Sequence, residues 1–191
     1  MGLVRFPCEK YASLELNQVA FQKTGMVVSQ TPLGEAFAAS GDNTYGPCEN
    51  GMWVVADKSV GYLAAPAAVT DHPIGIVYTA EKEYDRSDYG LKNFGRKVAG
   101  DYPRVGILGL GDTVTTNCLQ YDNTEAGFTT EEALEATLAA YATTPVYVGI
   151  VAGSPVPKLT KTKPTGTYGK VTKYYTVPNG EKGVKYEIVN L

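Results

Sequence analysis

The sequence is poor in the residues that most often carry chemistry. It holds one histidine, one tryptophan and three cysteines in 191 residues. A Ser-His-Asp or Cys-His site would have to use His72. That residue lies between Asp71 and Pro73, a turn context in which an imidazole faces solvent. Cys8, Cys48 and Cys118 are far apart, with no CxxC pair, so neither a zinc site nor a disulfide framework is expected. Reduced thiols in a protein assembled in a cytoplasm fit this usage. No apolar run approaches the roughly 20 residues of a membrane span. Residues 1–16 lack the apolar core of a secretory signal. The expectation is a soluble chain that is not exported and does not contact a membrane.

What is present points to β-structure. Tyrosine dominates the aromatics, 14 against five Phe, and Gly (21) and Pro (11) are frequent. Tyr, Val and Thr with many turn formers favour short strands and tight turns. Strand-like segments fall at 14–21, 25–30, 52–57, 74–80, 103–109, 113–121, 146–152, 168–177 and 183–190. Residues 40–51 and 81–95 read as a turn-rich loop and a charged excursion. One helix is expected over 129–141, where Thr129 and Glu132 have capping-box spacing and acids crowd the first turn.

The segment "PRVGILGLGDTVTTN" (103–117) has the outline of a dinucleotide fingerprint. Gly109 and Gly111 fill two of its glycine places, but the third is Val114. A pyrophosphate also needs a helix N-terminus here, whereas Thr113, Val114, Thr115 and Thr116 favour a strand. The segment is therefore read as strand, Gly-Leu-Gly-Asp turn, strand, with no cofactor. Glu81, Glu83, Asp85 and Asp88 form no calcium loop. No nucleophile, base and oxyanion donor assemble in one motif, so neither a catalytic residue nor a metal ligand is assigned.

Charge is unevenly spread. Residues 154–191 carry seven Lys against two Glu, a balance of +5, which leaves −8 on residues 1–153 of a total of −3. An acidic body argues against direct nucleic-acid binding. Three regions are expected: an arm (1–13), a β-rich domain (14–153), and an extended linker followed by a C-terminal β-hairpin (154–191). Pro155, Pro157 and Pro164 mark the linker. Alternation would place Val171, Tyr175 and Val177 on one face of the hairpin as a docking surface, opposite Val184, Tyr186 and Ile188. In the arm, Leu3, Val4 and Phe6 are apolar without a core pattern, suited to adding a strand to a partner. Leu3, Val4, Phe6, Val171, Tyr175 and Val177 are the candidate partner-binding residues. The fold class is mainly β, a barrel or sandwich-like domain with one helix and a C-terminal hairpin extension.

Two stretches carry a resemblance. "ENGMWVVADKSVGYLAAPAAVTDHPIGIVYTAEKEYD" and "RVGILGLGDTVTTN" alternate turn, apolar strand, Asp, small apolar residues and strand. This rhythm, over roughly residues 34–152, resembles the head decoration (capsid cement) proteins of tailed bacteriophages. The resemblance implies a non-enzymatic virion protein, assembled in the host cytoplasm. It would bind the major capsid protein on the capsid surface, stabilise contacts between capsid subunits and meet neighbouring copies of itself. The helix and the lysine-rich end have no counterpart in that pattern. Two alternatives stand beside it: a carbohydrate- or receptor-binding β module of a head fibre or tail, using tyrosines as a stacking platform, and a small hydrolase using the acidic segment.

Overall fold

The computed structural model describes residues 2–8, 12–14, 27–28, 30–38, 45–56, 61–79, 98–176 and 180–191. Within them the chain is mainly β, as the composition implies, with one α-helix and two sheets. The large sheet contains β1 (Leu3–Arg5), β6 (Thr113–Thr116), β7 (Gln120–Asp122), β8 (Tyr147–Val151), β9 (Ser154–Thr160), β10 (Tyr168–Thr176) and β11 (Lys182–Asn190). Its order is β1-β7-β9-β8-β10-β11-β6, antiparallel except between β7 and β9. The small sheet holds β2 (Val27–Val28), β3 (Trp53–Val55), β4 (Ile74–Val77) and β5 (Val105–Ile107), in the order β2-β5-β4-β3.

Chain connectivity forces the large sheet to curl. β6 and β7 are separated by residues 117–119, yet four strands lie between them in the ladder. Five strand spacings in a flat sheet span about 24 Å. The chain from Thr116 to Gln120 reaches at most about 14 Å. The sheet therefore bends until its ends nearly meet, while the ladder stays open and no barrel closes. The single strand expected over 113–121 is thus two. At the break, the Asn117 side chain accepts from the Ser13 amide and donates to Glu181, and the Thr116 hydroxyl accepts from the Cys118 amide. These bonds replace ladder pairing.

The small sheet packs against the inner face of this curl. β4, Ile-Gly-Ile-Val, is buried throughout because both its faces are covered. Ile74 and Ile76 join Trp53, Tyr186, Val184 and Val171 in the core shared by the two sheets. Val77, with Val54 and Val105, enters a second cluster around Leu33, Phe37, Leu63 and Cys118. At the centre, the Trp53 indole N–H donates to the Tyr186 hydroxyl at 3.1 Å, with ring centroids 6.1 Å apart. Gly169 makes room for that tyrosine: a Cβ there would lie 2.6 Å from its ring.

The glycine loop behaves as its β-branched continuation implies. Gly111 takes φ +85°, the Asp112 carboxylate accepts from the Gly109 amide at 2.7 Å, and the chain continues as β6. The turn carries the chain from the small sheet to the large one. It is stitched to β11, since Gly111 N–H donates to Ile188 and Ile188 N–H to Asp112. Helix α1 (Glu131–Ala139) starts one residue later than its expected cap: Thr130 is the N-cap, accepting from Ala133 N–H. The Glu132 carboxyl is held below its usual range by its own backbone N–H and by the Thr130 hydroxyl. Leu134 and Leu138, one turn apart, are buried in the shared core.

The C-terminal third departs from expectation. Ser154–Thr160, read as linker, is β9, paired on both sides by β7 and β8. Pro155 and Pro157 sit where the β8–β9 register shifts, between Gly149 and Val151, a place where a missing N–H is tolerated. The hairpin of β10 and β11 does form, but its apolar face is no docking surface. Val171, Val184, Tyr186 and Ile188 are buried in the shared core. Strict alternation also fails: a bulge between Val171 and Lys173 turns Tyr174 inward, and Tyr175 falls outside the core cluster. Val177, residues 15–21 of the strand expected over 14–21 and the charged excursion 81–95 lie outside the described residues; of the strand expected over 25–30, β2 and residue 30 are described.

Two outcomes are expected. Tyr186→Phe should lower stability by about 1–3 kcal/mol, because the buried Trp53 N–H loses its acceptor; thermal denaturation checks it, as a fall of several degrees in Tm. A chain ending at Gly153 removes three strands from the interior of the ladder, so circular dichroism should find no cooperative unfolding transition.

Candidate attachment surface

The N-terminal arm is a strand of this chain's own sheet. β1 pairs antiparallel with β7, Leu3 opposite Asp122, Val4 opposite Tyr121 and Arg5 opposite Gln120. Flanking bonds fix which backbone groups face β7: Asn123 N–H donates to Gly2 and Phe6 N–H to Leu119. Gly2, Val4 and Phe6 therefore point their amides and carbonyls inward, and Leu3 and Arg5 point theirs away from the sheet. Among the described residues no strand lies beyond β1. Leu3 and Val4 are 39% and 37% exposed, so this edge offers backbone bonding groups beside apolar side chains.

The edge is held by charge. The Arg5 guanidinium donates to Glu49 Oε2 at 2.8 Å, and the same oxygen accepts from Ala12 N–H at 3.1 Å. One carboxylate on a distant loop thus ties β1 to the segment that follows it. The three cysteines are buried or half-buried around this region as thiols. Burial pushes the Cys118 thiol up to about 12, raises Cys48 strongly and raises Cys8. At neutral pH they are protonated and poorly nucleophilic. His72 is exposed in its turn, and among the described residues no group of three His, Cys, Asp or Glu side chains is placed to hold a metal ion.

The six expected partner-binding residues do not form one surface. Leu3 and Val4 lie exposed on the sheet edge. Phe6 and Val171, both 2% exposed, belong to the shared core and are unavailable to a partner. Tyr175 lies at the far end of β10, half-buried, and Val177 is outside the described residues. Phe6, just past β1, goes inward where its amide donates to Leu119 of the buried corner, whereas Val4, on the same face by alternation, stays exposed.

Two further surfaces escaped the sequence reading. One gathers exposed apolar residues at an end of the large sheet. Leu110, on the glycine turn bonded to Ile188, is 58% exposed, and the following Val189 and Leu191 are 41% and 42% exposed. An apolar residue at the tip of a Gly-Leu-Gly turn was the available signal. The other is a cleft of about 700 Å³ between Leu33–Phe37 and Tyr62–Ala65, with Tyr45 and Tyr62 in its wall and Glu35 at its rim. Its walls come from segments far apart in sequence, which no local pattern reveals.

If the Arg5–Glu49 pair fastens the edge, Glu49→Gln should accelerate hydrogen exchange of the Val4 and Phe6 amides by about tenfold while leaving β10 and β11 protected. Residue-resolved exchange by NMR tests this; unchanged Val4 and Phe6 protection would show that pairing with β7 alone holds the strand.

Comparison of the chain with protein-family models, with curated proteins and with solved structures finds no match.

Proposed function

We propose that this protein is a non-enzymatic structural component of a tailed-bacteriophage virion, attached to the outside of the capsid, where it stabilises contacts between capsid subunits. The observation that carries the reading is the open β1 edge. An apolar strand edge is normally blocked by lysine, proline or a covering segment, because it templates pairing with another chain. Here Leu3 and Val4 are left exposed on it, and Arg5 is drawn aside to Glu49. A capsid protein's extended segment would add to this edge by strand addition, with backbone bonds giving affinity and the apolar side chains a seat. The body behind the edge is a two-cluster core, suited to a cement that must hold its shape under load. The sequence rhythm that resembles decoration proteins supports the same reading.

A second reading has its own observation. The cleft walled by Tyr45 and Tyr62 has a volume in the range of small-ligand sites, and tyrosine faces stack on sugars. A carbohydrate-binding module of a head fibre or tail would use it.

The edge can be tested without disturbing the core. Leu3 N–H points away from β7, so Leu3→Pro withdraws a donor that only an added strand would use. This change should alter stability by no more than about 0.5 kcal/mol. Co-sedimentation with heads assembled without the protein should fall by about tenfold or more. Wild-type binding that survives Leu3→Pro unchanged rules out strand addition at β1, and absence of wild-type binding rules out the capsid reading. Saturable binding in a glycan array, lost in Tyr62→Ala, would favour the second reading.

A further inference from the structure

The three cysteines are dispersed in the sequence but gathered in the fold. Cys48 and Cys118, both fully buried, share the second core cluster. Cys8 reaches the same place from the N-terminal strand. The Phe6 amide donates to Leu119 at 2.9 Å, which brings the residues just past β1 beside the corner that holds Cys118. The Arg5 guanidinium joins the two thiols there. It donates to Glu49 at 2.8 Å, and it also hydrogen-bonds the sulfurs of Cys8 and Cys118. A guanidinium is a small planar fork, so two groups bonded to its N–H donors are neighbours.

The two thiols differ in the way that a disulfide exchange needs. Cys8 is half-buried, within reach of a small oxidant, whereas Cys118 is fully buried. Cys118 is also held in place. A Cβ on Gly51 would lie 2.5 Å from Cys118 Cβ, and the Cys118 amide donates to the Thr116 hydroxyl at 2.8 Å. Cys8 lies beyond the last paired residue of β1, Arg5, so the ladder does not fix it. One fixed and one adjustable thiol suit a bond that tolerates only a narrow range of separation and dihedral angle. Cys48 is a poorer partner for either. Its thiol donates to the Glu49 carbonyl at 3.9 Å, and it is as closed to solvent as Cys118.

We propose that Cys8 and Cys118 form a modification site, a disulfide that clasps the N-terminal strand to the corner at 116–119. The oxidant is a small-molecule disulfide, for which oxidised glutathione serves as the probe. The Cys8 sulfur attacks one sulfur of the oxidant and gives up its proton. A mixed disulfide forms and the first glutathione leaves, taking that proton. The Cys118 sulfur then attacks the Cys8 sulfur. The Cys8–Cys118 bond forms and the second glutathione leaves with the Cys118 proton. Two protein thiols are oxidised and one disulfide is reduced. Burial keeps both thiols protonated at neutral pH, so the exchange is slow. The bond closes the chain from residue 8 to residue 118, and a long closed loop restricts the unfolded chain strongly. The site belongs to the chain alone and does not depend on what β1 binds.

The test is oxidation of the folded, full-length chain with oxidised glutathione, followed by peptide mass spectrometry without reduction. One species is expected, lighter by two hydrogens, in which the peptides of Cys8 and Cys118 are linked and Cys48 is still a thiol. Cys48→Ala should form the same bond and Cys8→Ser should form none; should Cys48→Ala fail to fold, the wild-type peptide map decides alone. The oxidised chain should melt several degrees above the reduced one, and dithiothreitol should abolish the difference. Oxidation in denaturant should instead give a mixture of pairings that includes Cys48. Three free thiols after prolonged oxidation overturn the proposal, as does a wild type that stops at a glutathione adduct on Cys8. A bond to Cys48, a folded chain that gives the same mixture as the denatured one, or a Cys8–Cys118 bond that lowers Tm overturns it equally.

Discussion

The fold turns on the corner at residues 116–119. Thr116, Asn117, Cys118 and Leu119 are all fully buried. The three residues 117–119 that link β6 to β7 are too few to cross an open sheet, so the whole large sheet curls to satisfy them. The corner also collects distant parts of the chain. Asn117 bonds Ser13 and Glu181, Thr116 bonds Ser13, and Leu119 accepts from Phe6. The N-terminal segment and the end of the β10–β11 hairpin are thereby fixed to the same point. Gly51 belongs to this constraint too, since its φ of +95° and the space filled by Cys118 leave no place for a side chain.

Curling creates the concave face that the small sheet and α1 fill side by side. A curled sheet needs an inner layer thick enough to occupy it, and the largest side chains supply it: Trp53 from one sheet, Tyr186 from the other, Phe128 beside the helix. Both aromatics of the central pair bring a polar atom into the core, and each satisfies the other. This bond also fixes how the two sheets face each other, because an indole donor and a phenol acceptor meet in few orientations. Burial pushes the Tyr186 hydroxyl far above its ordinary value, with the indole bond acting in the opposite sense, so it stays protonated.

Local chemistry was legible in the sequence where it is decided locally. The β-rich class, the strand at 74–77, the strand-turn-strand reading of 103–117 and the helix near 130 follow from β-branched runs, glycines and a threonine cap. Thr129 and Thr130 compete as caps on equal local terms, and only the bond to Ala133 decides between them. What failed was placement. Three prolines between 155 and 164 argued for a linker, but Pro155 and Pro157 sit where the ladder already shifts register. Alternation gave Val171 correctly to an apolar face, but could not tell a face buried in this chain from one offered to a partner. The same limit applies to Phe6. Its strand neighbours come from residues 119–122, and nothing near it in sequence announces them.

The surfaces that remain differ in physics, and so in what each can contribute. The β1 edge offers directional backbone bonds, which set register and depend little on salt. Lys170 and Lys173, exposed on β10, offer long-range attraction without register, which orients and accelerates encounter but is screened in salt. The two are also differently placed. β1 bonds along the plane of the sheet, whereas the lysines project perpendicular to it. A partner strand seated on the edge therefore leaves these lysines in solvent.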